Sequence, residues 1–294
     1  MDFERHNYGS DKNQFFRLYY PPSFSLKDTN DKGYPVIIIV HGGFWRECYT
    51  LDNALIDTLI PFLLAKEYVV CMMEYRRVSD VNDTGCKGIC SCLFSDNHNK
   101  GGYPNTNMDI INSLNALYDI ITNINSKIID AKKPLINIHK STLIGHSAGG
   151  TLVLWLCCKL TARNLKFVPF LCVAIAPVAD LIEGQKRRLS SDGTAICSYL
   201  GIKHDDFTNN IYNEASPSCI LPIEVNAILA IGSNDDTIPC DMIEIFYKRC
   251  KENVNQKANI DLMMIKNADH FTVVNASTPD WLSIYEKIEH YYTI

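Results

Sequence analysis

The chain has 294 residues, 47% of them hydrophobic and 21% charged, with a net charge of −5. That length buries a large core, and the balance is that of an ordinary globular protein. The acidic charge argues against a nucleic-acid-binding face, and no apolar run is long enough for a membrane span.

Apolar runs bounded by turns alternate along the chain with longer helical patterns, the signature of a mostly parallel sheet flanked by helices. Residues 15–20 read as an early strand stopped by Pro21 and Pro22, and "PVIIIVHGG" as a buried strand over 35–40 that ends in glycines. Helical spacing over 52–66 leads to a strand at 68–74, and a helix over about 106–122 leads to a strand at 140–144. A helix begins at Ala148. Strands follow near 168–175, 226–231 and 260–265, with helices near 240–251 and 280–292. The stretches near 80–104 and 184–220 lack clean periodicity and read as long loops. Within the second, "QKRR" at 185–188 reads as a solvated turn or a helix start. With no repeat and no linker, the expectation is a single domain over 1–294.

The opening "MDFERHNYGSDKNQFF" is too polar for a signal peptide, so the expectation is a cytoplasmic protein. Of the 12 cysteines, Cys71, Cys157, Cys158 and Cys172 sit in apolar runs, as buried reduced thiols do. The sequons at Asn82 and Asn275 then carry no glycan. Cys86, Cys90 and Cys92, with His98 nearby, have the composition of a zinc site but not its usual spacing, and read as a loop.

"LIGHSAGGTL" at 143–152 places a serine in G-x-S-x-G between a β-branched strand and an apolar helix. A nucleophile elbow needs that context, with small neighbours that let the chain turn sharply. Gly145, Ala148, Gly149 and Gly150 supply them around Ser147. A serine hydroxyl is a poor nucleophile until a base takes its proton. His270, just past the last strand, follows the serine and the acid in the order Ser–Asp–His. His290 reads as a surface residue, and the His146 ring as packed away from the site. The acid belongs after the penultimate strand, where Asp235 and Asp236 stand together and Asp241 lies beyond; Asp180 is the rival position. "HGGFW" at 41–45, directly after a buried strand, suits an oxyanion hole. Its glycines let N–H groups of Gly43 and Phe44 join that of Ala148 around a developing negative charge, with His41, Gly42 and Trp45 as motif support. Phe44, Trp45 and Tyr103 are candidates for pocket lining as much as for core.

Together "HGGFW", "EYRRV", "GHSAGG", "EASP" and "ADHF" resemble the α/β-hydrolase superfamily, and within it the kynurenine formamidases and related small esterases. The resemblance covers nearly the whole chain. It implies the α/β-hydrolase fold and a serine hydrolase that cleaves a small ester or an aryl formamide without cofactor or metal. By the G-x-x-D spacing of that pattern, counted from Gly232, the acid is Asp235. The sequence departs from the formamidase pattern at Gly150 and Thr151 and carries an insertion over 81–104. Two other readings stand beside this one: a peptidase of the prolyl-oligopeptidase type, and a non-catalytic ligand-binding protein on the same fold. The sequence leaves the oligomeric state open.

Overall fold

Residues 36–40 alternate their side chains between two apolar layers. Val36, Ile38 and Val40 enter one core cluster, while Ile37 and Ile39 enter the other. A strand buried on both faces in this way belongs in the middle of a sheet covered by helices. The computed structural model describes residues 2–25, 33–54, 58–79, 100–127, 135–162 and 164–293. It contains an eight-stranded sheet formed by β1 (Glu4–Asn7), β2 (Phe15–Tyr19), β3 (Tyr34–Val40), β4 (Val69–Met73), β5 (Ile136–His146), β6 (Leu171–Ile175), β7 (Ala227–Gly232) and β8 (Ile260–Ile265), in spatial order β1-β2-β4-β3-β5-β6-β7-β8. The pairs β1/β2 and β2/β4 are antiparallel, and every other pair is parallel.

Helices close both faces. On one side α2 (Asn105–Ser126), α3 (Ala148–Cys157) and α7 (Cys240–Glu252) pack Leu114, Leu152 and Phe246 into the larger cluster. On the other, α1 (Leu59–Ala65) and α8 (Pro279–Thr293) contribute Leu59, Leu63, Trp281 and Ile284. Each such side chain, once buried, stabilises the fold by about 2 kcal/mol relative to exposure.

The strands expected from 15 onward are present, with shifted ends. One strand was not expected. β1 is short and mostly exposed, and its sequence ERHN has no apolar face to betray it. The helix expected over 52–66 is confined to Leu59–Ala65 among the described residues, because 51–53 form a turn. β5 reaches back to Ile136 through a register shift opposite Pro35 and Val36. The stretch near 184–220 is not one loop, since it carries α5 (Ala195–Leu200), α6 (Tyr212–Ala215) and the end of α4 (Leu181–Lys186). "QKRR" therefore closes a helix rather than starting one. Cys86, Cys90, Cys92, His98 and the sequon at Asn82 lie outside the described residues.

The order of the strands places the chemistry. β4 and β5 flank β3 on opposite sides, so the chain reverses its direction of travel across the sheet there. A crevice opens at the carboxyl ends of the strands at such a switch point. Val40 pairs with Gly145, which brings the segment after β3 beside the segment after β5. Gly232 pairs with Ile265, which does the same for the turns after β7 and β8. No helix among the described residues is long and apolar enough to cross a membrane.

Candidate active site

Ser147 follows β5 directly and sits at φ 53, ψ −121, a conformation that side chains of L-residues rarely adopt. The turn is held by Ser147 N–H donating to the Ile175 carbonyl at 2.8 Å and by Thr151 N–H donating to the Ser147 carbonyl at 3.1 Å. Small residues are mandatory around it. A Cβ at Gly149 would lie 2.2 Å from the Val40 carbonyl oxygen, and one at Gly145 would lie 2.3 Å from that of Gly149. Strain of this kind persists only where the surroundings over-determine it, and it concentrates at functional sites.

The turns after β7 and β8 bring an acid to a histidine. His270 Nδ1 donates to Asp235 Oδ2 at 2.8 Å, and the Asp235 carboxylate is completely buried. The other carboxylate oxygen accepts the backbone N–H groups of Thr237 at 2.9 Å and Ile238 at 2.7 Å. A carboxylate only accepts, so the proton of the neutral ring sits on Nδ1 and Nε2 is left bare. His270 and Ser147 line the same cavity, although no hydrogen bond joins them. Such bonds are often long in unliganded enzymes and tighten on binding.

The rival acids are occupied elsewhere. Asp236 is exposed on the cavity lining and accepts from Thr237 Oγ1 at 3.2 Å. Asp241 holds Arg187 through two bonds, and Asp180 caps α4 through Glu183 N–H while pairing with Arg249. His290 is exposed on α8.

His146 differs from the sequence expectation. Its ring is not turned away: it packs on His270 with ring centroids 4.7 Å apart and borders the cavity. Its Nε2 donates to the His270 carbonyl at 2.8 Å. Burial, and then the neighbouring His270, push its pKa from 6.5 down to about 3, which keeps the ring neutral. The residue thus clamps the backbone of its neighbour, a role that its place in the elbow motif does not disclose.

The segment after β3 turns sharply over Ser147. Gly43 has φ 109, followed by Phe44 at φ 50 and Trp45 at φ 56. A Cβ at Gly42 would lie 2.9 Å from Ser147 Cβ, so the backbone passes as close to the serine as it can. Gly42, Gly43 and Phe44 border the cavity, and Ala148 is buried as the first residue of α3. Beneath the turn, the fully buried His41 places Nε2 2.9 Å from Glu74 Oε1 and stacks on Tyr75, whose hydroxyl donates to the His41 carbonyl at 2.8 Å. Glu74 also pairs with Arg77 and accepts the Leu51 N–H. Trp45 stacks on Tyr199 at 4.2 Å and is fully buried; Tyr103 packs edge-on against Trp155 and Tyr199. Of the three aromatic candidates for pocket lining, only Phe44 reaches the cavity.

The cavity has a volume of about 590 Å³, within the range of small-molecule sites. Its lining also includes Arg46 and Tyr49 after β3, Arg187 to Ser191 after α4, and Phe271 beside His270. The described residues contain no cluster of His, Cys, Asp and Glu suited to a metal ion.

No protein-family model matches the chain, and no curated protein matches it. Solved structures do. Esterase B from Lactobacillus rhamnosis superposes with a TM-score of 0.69 at 18% identity, over 99% of this chain and 85% of that one. Esterase Est2 from the planctomycete Thermogutta terrifontis gives 0.65 at 16% identity, over 98% and 91%. The acylaminoacyl peptidase of Pyrococcus horikoshii gives 0.65 at 14% identity over 99% of this chain, which spans 41% of that peptidase. The chain has the α/β-hydrolase fold.

Proposed function

We propose that the protein is a serine hydrolase that cleaves a small ester, with Ser147 as nucleophile, His270 as base and Asp235 as acid. The observation that supports this most is the 2.8 Å bond between Asp235 and His270, in the cavity that also holds Ser147 at φ 53. His270 Nε2 takes the Ser147 hydroxyl proton as Oγ forms a bond to the substrate carbonyl carbon, and the carbonyl π electrons move onto oxygen. The N–H groups of Gly43, Phe44 and Ala148 are assigned to that oxyanion. Collapse re-forms the carbonyl and breaks the bond to the leaving group, which takes its proton from His270. Water then repeats the sequence on the acyl-serine and releases the acid.

The resemblance to kynurenine formamidases extends the substrate class to aryl formamides, which pass through the same kind of oxyanion. Labelling of Ser147 by an organophosphonate, absent in Ser147→Ala protein, is the expected result; equal labelling of both proteins removes the assignment. Parallel assays with short p-nitrophenyl esters and N-formylkynurenine then separate the two substrate types. Hydrolysis is expected to survive exhaustive chelation, because the three side chains and the oxyanion donors supply the catalysis. A loss that zinc restores would instead direct attention to Cys86–Cys92.

A further inference from the structure

The cavity lining carries three arginines among the described residues, and two of them are already neutralised. Arg46 pairs with Asp192 and donates to Thr194 Oγ1 at 3.2 Å. Arg187 pairs with Glu183 at 2.8 Å and holds Asp241 through two bonds of 2.8 and 2.7 Å. Arg188 is exposed on the same lining, and its guanidinium has no ion-pair or hydrogen-bond partner among the described residues.

The backbone under Arg188 makes the choice of arginine unexpected. Arg188 follows the last turn of α4, where its N–H donates to the Gln185 carbonyl and Leu189 N–H donates to the Gly184 carbonyl, both at 3.1 Å. That pair of bonds is the Schellman ending of a helix, with Leu189 folded back over Gly184. The residue at the turn is left-handed, and Arg188 has φ 53. Glycine takes that conformation without steric cost, and a long side chain does not. The side chain is also seated: a Cβ at Gly193 would lie 3.0 Å from Arg188 Cβ and 3.6 Å from its Cδ, so the stem runs over a glycine. A seated guanidinium on a strained backbone, unpaired among the described residues and on the wall of the cavity, suits an anion from outside the protein.

We propose that Arg188 is a specificity residue that binds a carboxylate carried by the substrate, so that the cavity selects esters or amides with an anionic group remote from the scissile bond. The proposal rests on the serine hydrolase reading of this cavity. A guanidinium presents a planar fork of donors that a carboxylate matches in two bonds. The aromatic side chains of Phe44, Tyr49 and Phe271 on the lining suit the apolar remainder of such a substrate. Asp236 is the sole carboxylate among the described residues of the lining. It opposes an anion near itself and so restricts the favoured position to the Arg188 side.

Two matched ester pairs test this. Monophenyl adipate against phenyl hexanoate places the charge on the acyl side; para-acetoxybenzoate against phenyl acetate places it on the leaving group. In Arg188→Gly protein the anionic-to-neutral ratio of kcat/KM is expected to fall about tenfold or more for one pair, through KM, as the loss of a charge-assisted bond requires. Arg188→Lys should restore part of it. Glycine suits the left-handed position, so the urea midpoint of Arg188→Gly should not fall, which separates lost recognition from lost folding. Unchanged ratios in both pairs overturn the proposal. If neither these esters nor an aryl formamide is turned over, the hydrolase reading fails on its own. Calorimetric binding of the same intact anionic esters to Ser147→Ala protein, with and without Arg188→Gly, still decides the anchor. About a tenfold loss of affinity for either ester supports it, and equal affinity for both removes it.

Discussion

Asp235 and Asp236 are adjacent and chemically identical, yet the turn after β7 gives them opposite surroundings. The Asp235 carboxylate is buried, bonded to two backbone N–H groups and to the His270 ring, whereas Asp236 is exposed and touches a threonine hydroxyl. A triad acid must hold the imidazole in the tautomer whose Nε2 can receive the serine proton, and an amide in its place presents the wrong partner. Asp235→Asn is therefore expected to lower kcat by about a thousandfold or more. Asp236→Asn should cost only a few-fold, with both circular dichroism spectra unchanged. The reverse ranking on a p-nitrophenyl ester would transfer the role to Asp236. Residue pattern alone left both acids open, because which side chain enters the core depends on how the turn packs. The position of His146 was illegible for the same reason. Its contact with His270 joins residues 124 positions apart, and no local pattern records it.

At the scale of elements, glycines fix how closely α3 and the segment after β3 can approach. A Cβ at Gly149 would meet backbone atoms of β3 and of His41, at 2.2 and 2.5 Å, and backbone cannot rotate away. Gly149→Ala is expected to destabilise the fold by about 3 kcal/mol, the upper range for overpacking, read from urea unfolding. At Gly43 the new Cβ would meet Tyr49 Cβ at 2.3 Å, and Gly43 itself is at φ 109, so relief requires the segment after β3 to shift as backbone. Gly43→Ala is therefore expected to displace the assigned oxyanion donors, lowering kcat about a hundredfold together with a fall in the urea unfolding midpoint. An unchanged kcat in folded Gly43→Ala protein would contradict the assignment of those donors. β3, β4, β6 and β7 were legible because burial on both faces leaves continuous apolar runs, and the motif residues were legible because each stands just beyond a strand end. The exposed strand β1 and the short helices α4, α5 and α6 were not, since four to six residues are too few for a helical period or an apolar face to register. Arg187 to Ser191 on the cavity lining follow α4 in that unpatterned stretch. Arg187 and Arg188, within "QKRR", read from sequence as part of a solvated turn or a helix start.

Across the whole molecule, the sheet carries apolar clusters on both faces, and the ring of His146 is held at the carboxyl end of β5 by its bond to the His270 carbonyl. Folding keeps that ring neutral, with its pKa lowered from 6.5 to about 3, first by burial and then by His270. The unfolded chain takes up a proton below its ordinary pKa, while the folded chain refuses it until the pH approaches 3. The contribution to stability is thus fully present above pH 6.5 and is lost as the pH falls from 6.5 toward 3. The slope is about 1.4 kcal/mol per pH unit, so this ring alone removes about 2 kcal/mol between pH 7 and pH 5. His146→Gln keeps an N–H able to reach the His270 carbonyl and removes the titration. Its unfolding free energy in urea should therefore fall by about 2 kcal/mol less over that interval than the wild-type value does, whatever its stability at pH 7. Comparing the two proteins cancels the histidines and carboxylates they share. Parallel curves for the two proteins would mean that His146 is protonated to the same extent folded and unfolded, and would remove burial of a neutral ring from the account of this site.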